Sequence, residues 1–233
     1  MVCRQSCTRE SLFGCGVSRV GDILQHVEWY GSLGLVPLLK RQVEGWTMDK
    51  DYKRLTDFLV GIGIEQVPHT HKSYLAHLIA VYRLLESQGC PEDVCRAGMF
   101  HSIYGTEKFQ GFTLPLERRG EVRTLIGDRA EHLAYLNCAM DRASFDRALG
   151  QADEPYRIVD RIIGEAVSLS RRDYDDLCHV HLFDWLEQVP RSQEWDYRRA
   201  AYRKMAERLG PTAEEDYERV FAHEETESGV AVP

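Results

Sequence analysis

No apolar run in this 233-residue chain approaches the ~18 residues needed to cross a bilayer. The opening MVCRQSCTRESLFGC has no apolar core of signal-peptide length either. Both absences predict a soluble, cytoplasmic protein. Positive charge is also scarce: 29 Lys and Arg against 37 Asp and Glu leave a net charge of −8. That balance argues against docking on nucleic acid or an anionic membrane, because each requires a positive face. The seven cysteines are an odd number and contain no CxxC pair, which suits a reducing compartment better than a disulfide scaffold. A P-loop and a GxGxxG stretch are both missing. So are internal repeats and low-complexity linkers.

What is present is enough apolar material for a core, 43% of residues with 10% aromatic. Residues 1–20 have weak periodicity and are expected to be a mobile segment. Residues 21–225 read as a single helical domain and 226–233 as a frayed tail. GDILQHVEWYGSLG (21–34) and MDKDYKRLTDFLVGIG (48–63) each carry one apolar stripe of helical spacing. HKSYLAHLIAVYRLLESQG (71–89) carries the strongest, closed by Gly89. Pro91 opens the next helix at a favoured position, with Glu92 and Asp93 at its positive end. Residues 118–145 predict two helices meeting near Gly127. In YRIVDRIIGEAVSLS, the Ile and Val residues flank Gly164–Glu165 and predict a small β-hairpin near 156–169. Ser170 with Asp173 resembles a capping box opening a helix through about Val189. Two further helices are expected over 192–210 and after Pro211. The fold class is mainly α, a helical bundle with one small hairpin.

Three polar residues fall on inward faces of these helices. His77 shares its face with Tyr74, Val81 and Leu84. His101, in RAGMFHSIYGTEKF (96–109), shares its face with Val94, Ala97 and Gly98, small residues that let another helix approach. Asp141 is placed with Ala134, Asn137 and Cys138. An inward aspartate is costly unless paired, hydrogen-bonded or bound to metal, so the three groups are expected to converge.

His77 lies 24 residues before His101, in SYLAHLIAVYRLLESQGCPEDVCRAGMFHS (73–102). That stretch resembles the first metal-binding segment of HD-superfamily metal-dependent phosphohydrolases. It is similar in particular to the hydrolase domain of the alarmone (ppGpp) synthetase/hydrolases. Tyr74 and His77, the acidic turn from Pro91 to Asp93, Ala97 to His101, and AMDR with Asp141 and Arg142 carry the likeness. It covers about residues 70–145, the HD-like core. The pattern departs from the family at the defining His-Asp doublet, which is His101-Ser102 here. The acidic pair expected three and four residues on is Gly105-Thr106, leaving Glu107 as the nearest carboxylate. The resemblance implies a helical bundle holding a divalent ion (Mn, Fe or Zn) on His77, His101 and Asp141, with Glu107 as the candidate general base.

Two histidines and one carboxylate leave coordination positions open for water or substrate. Three functions are compatible with such a donor set. One is hydrolysis of a phosphorylated, nucleotide-like small molecule. The second is a non-haem iron oxygenase using the same donor set, and the third a non-catalytic HD-like module. His69 and His71 are expected in an exposed loop near the site mouth, His132 on a helix surface, and His179 and His181 in structural roles. Arg118, Arg119, Arg123 and Arg129 form a basic set that could meet a phosphate, though a solvated face is the default for such a set.

Overall fold

The apolar stripes become helices whose ends are set by local capping. A computed structural model describes residues 50–69 and 72–228. The segment at 1–20, the helix expected at 21–34, His71 and residues 229–233 lie outside them. Among the described residues the helices are α1 (Tyr52–Gly61), α2 (Tyr74–Ser87), α3 (Glu92–Phe100), α4 (Arg119–Ile126), α5 (Asp128–Ala139), α6 (Arg142–Ala148), α7 (Arg171–Ser192), α8 (Arg199–Leu209) and α9 (Pro211–Ser228). A two-residue ribbon, β1 (Pro68–His69) with β2 (Lys72–Ser73), leads into α2. The Ser73 hydroxyl accepts from the Ala76 N–H and caps α2, and Ser170 does the same for α7 through Asp173. Gly127, at φ +95°, separates α4 from α5 as the sequence predicts.

The expected hairpin is present as β3 (Tyr156–Asp160) and β4 (Glu165–Leu169), with Tyr156 opposite Leu169 and Asp160 opposite Glu165. Strand β3 alternates, burying Tyr156, Ile158 and Asp160. The helix expected from residue 192 begins only at Arg199. Gln193 and Arg198 take left-handed backbone conformations (φ 58° and 48°) and turn the chain between α7 and α8.

Helix α2 packs on α3, α3 on α5, and α7 lies against α2, α3, α5 and α8. Every residue of α7 from Val180 to Glu187 is buried, the condition of a central helix rather than an amphipathic surface one. A Cβ at Gly98 would run into the Leu85 side chain. The missing side chain is what lets α3 approach α2 this closely, and both helices carry a histidine at the contact.

Candidate metal centre

Three elements deliver the centre. Helix α2 presents His77 in its second turn, His101 is the C-cap of α3, and α7 supplies Asp184. All three are buried. His77 Nε2 and His101 Nε2 are 3.3 Å apart, and Asp184 Oδ1 is 3.2 Å from each. Tetrahedral donors on bonds of ~2.0–2.1 Å sit roughly 3.3–3.4 Å from one another, so the three atoms fit one face of such a polyhedron. This group could hold a metal ion.

Hydrogen bonding decides which atoms are free to do so. His101 Nδ1–H donates to the Gly98 carbonyl at 2.7 Å, within its own helix. His77 Nδ1–H donates to Glu187 Oε2 at 2.5 Å. With both Nδ1 atoms engaged as donors, both Nε2 lone pairs face the Asp184 oxygen, the arrangement that outer partners impose on metal-ligating histidines. Glu187 is itself held by Arg191, at 2.7 Å from each carboxylate oxygen, and Gln188 donates to Asp184 Oδ1. With both imidazoles neutral, the three lone pairs meet and form a seat for a cation. The electrostatics favour positive charge at this point, which a proton on His101 or a metal ion supplies. Burial opposes the charge on Asp184, but His101 and His77 outweigh it and hold the carboxyl well below the usual range. Burial likewise opposes protonation of His101, yet Asp184 and the Gly98 carbonyl leave its pKa raised.

A second layer fixes His101 from behind. Asn137 Nδ2 donates to the His101 carbonyl at 2.8 Å, and Cys138 Sγ reaches the same oxygen at 3.2 Å. Asn137 Oδ1 accepts from His181 Nδ1 at 3.2 Å, and His181 Nε2 accepts from Arg198 at 2.7 Å. Burial, with Arg198 and Arg142 nearby, pushes His181 well below the ordinary histidine value and keeps it neutral. His181 is thus structural, as expected. His179 is half-buried with Nδ1 on the Asp175 carbonyl, and His132 is exposed.

The centre opens into a cavity of about 200 Å³ lined in part by His101, Ser102, Asp184, Lys108, Arg142 and Trp185. Ser102 presents a neutral hydroxyl 2.8 Å from Tyr74 OH. His69 also lines the cavity. Contrary to the exposed loop expected, it is buried and stacked on His77 with ring centroids 4.4 Å apart. Burial and the neighbouring His77 bring its pKa down to about 3.

Two of the four expected site residues lie elsewhere. Asp141 is not in the group: its Oδ1 accepts from Ser144 N at 2.7 Å and caps α6. Helix α5 ends at Ala139, and the Asp141 N–H pairs with the Val159 carbonyl of the hairpin, so helical spacing no longer applies at residue 141. Glu107 is exposed, does not line the cavity, and accepts the Arg142 backbone N–H at 2.9 Å. The basic set is engaged with acids away from the centre. Arg118 pairs with Glu121, Arg119 and Arg123 with buried Glu131, and Arg129 with Asp93, Asp173 and Asp176.

Asp184 and Glu187, which sequence reasoning missed, sit in LFDWLEQV (182–189), two carboxylates three residues apart inside an apolar stretch. The rule that an inward carboxylate needs a partner would have singled them out. Residues 58–142 match the family model of a domain of unknown function, DUF6817. No curated protein and no solved structure matches the chain.

Proposed function

We propose that the protein is a metal-dependent hydrolase of a small phosphorylated molecule, working at His77, His101 and Asp184. The observation that carries this reading is the meeting of two imidazole nitrogens and one carboxylate oxygen beside a cavity whose wall includes Lys108 and Arg142. A divalent ion bound there supplies Lewis acidity and a water of lowered pKa. The chain's own residues do the rest. Glu187 orients His77, Gln188 orients Asp184, and Ser102, hydrogen-bonded to Tyr74, offers its hydroxyl to water or substrate. Serine at 102 leaves one carboxylate in the donor set, so a bound divalent ion keeps net positive charge toward an anionic substrate.

The same donor set, two histidines and one carboxylate, is also that of mononuclear non-haem iron oxygenases, and the single carboxylate favours this as the second reading. Metal analysis of protein purified without chelator separates them. Manganese or zinc, with phosphate released from a panel of phosphate esters, supports hydrolysis. Iron with substrate-dependent oxygen consumption supports oxygenation. Protein with no metal, taking up none on reconstitution, overturns both. Ser102→Asp sharpens the choice: it should tighten metal binding and keep or raise phosphate release in a hydrolase, and suppress oxygen consumption in an oxygenase.

A further inference from the structure

Arg142 is only 7% exposed and has no carboxylate partner among the described residues. Its guanidinium donates to Tyr197 OH at 2.5 Å, and only its backbone N–H meets Glu107. Among the described residues the other arginines of comparable burial have acids: Arg191 has Glu187, Arg198 has Asp146 and Arg208 has Asp175. Taking a cation out of water without a counter-charge is unfavourable by far more than a hydroxyl bond returns. A guanidinium placed so is matched to an incoming oxyanion, which its planar fork of donors binds in pairs.

The surroundings give that oxyanion a place and a size. Arg142 lines the cavity of about 200 Å³ that also reaches Asp184 and His101. At ~30 Å³ per water-sized group, that encloses roughly seven such groups, a phosphoryl group and little more. Lys108 lines the same cavity, its ammonium 3.9 Å from the Tyr197 ring centroid and 5.0 Å from that of Trp185. Its ion pair with Glu194 joins two substantially exposed side chains, so an arriving anion can compete for the ammonium at little cost. The carboxylate lining the cavity is Asp184, already committed to the two histidines.

We propose that Arg142, with Lys108 beside it, forms a receptor for a compact phosphate-type oxyanion next to the His77–His101–Asp184 centre. The enclosed part of the ligand is the phosphoryl group itself, and any larger body lies outside the cavity. The receptor deepens the hydrolase reading and rests on it only in assigning that phosphate to a substrate rather than to free phosphate.

Inorganic phosphate is the probe, titrated into the full chain at constant ionic strength, both zinc-loaded and chelator-treated. Arg142→Gln should weaken binding about 10–100-fold, the range for loss of charge-assisted hydrogen bonds, with Arg142→Lys recovering part of it and Lys108→Gln losing less. Without phosphate, Arg142→Gln should melt no lower than wild type, because it removes an unpaired buried cation. A merely structural arginine would give the opposite. Wild type that binds no phosphate, or that binds it equally in Arg142→Gln and Lys108→Gln, overturns the receptor. If Arg142→Gln does not fold, Lys108→Gln decides alone. Arg142-dependent phosphate binding in a protein that hydrolyses no ester keeps the receptor and sinks the hydrolase. Hydrolysis indifferent to both substitutions does the reverse.

Discussion

Glu187 Oε2 lies 2.5 Å from His77 Nδ1, and no water-accessible surface remains on either side chain. The carboxylate fixes the imidazole tautomer and makes its far nitrogen a better donor. Outer partners of this kind typically contribute ~10–100-fold to metal affinity. Glu187→Gln keeps an acceptor for Nδ1–H but removes the charge. Chelator competition should show metal affinity falling within that range while stoichiometric binding persists at saturating metal. An unchanged affinity would remove Glu187 from the centre.

Asp184 and Asp141 give opposite outcomes on substitution. Asp184→Asn replaces an anionic donor at the meeting point of two histidines, and zinc or manganese content should drop below stoichiometry. Asp141→Ala removes a helix cap, worth ~0.5–2 kcal/mol of stability, and metal content should be unchanged. Loss of metal in Asp141→Ala with retention in Asp184→Asn would reverse the assignment. Elemental analysis and urea unfolding read both arms.

His101→Ala should abolish stoichiometric metal, whereas His181→Ala should not. His181 acts at one remove, by satisfying Asn137, which holds the His101 carbonyl. Its loss leaves Asn137 Oδ1 short of a donor inside the protein, at a cost of ~1–3 kcal/mol. The expected result is a lower unfolding midpoint with metal still bound.

A separate acid sensitivity comes from Glu131, buried between Arg119, Arg123 and Tyr104. Burial raises its carboxyl, but Arg119, Tyr104 and Arg123 outweigh that and hold it below the ordinary carboxylate value. The unfolded chain therefore takes up this proton first. The contribution of Glu131 is fully present above about pH 4.3 and is lost as pH falls through its lower folded value. Urea unfolding from pH 6 to pH 3 should show wild type losing stability more steeply than Glu131→Gln. Parallel curves would remove Glu131 as a source of that loss.

His77 and His101 were legible because each lies within or at the end of an unbroken helix, where a 3.6-residue period reports the inward face. The hairpin was legible because its Ile and Val residues flank a glycine turn. Asp141 was misplaced for the converse reason: the period was carried two residues past the end of α5, into a cap that pairs with the hairpin. Asp184 stayed hidden because α7 is buried all round at that point, so no apolar stripe contrasts with a polar face. His69 was misjudged because a loop position two residues after Val67 gives no hint that it stacks on a ring of α2.

The 83-residue separation of His101 and Asp184 in the chain has a consequence for any attempt to isolate a working piece. The stretch 58–142 that matches the family model carries both histidines and stops 42 residues short of the carboxylate. Excised, it would hold two-thirds of a chelate, with His77 also missing its Glu187 anchor. Saturating zinc should therefore protect the full chain against proteolysis while leaving the excised segment as susceptible as before.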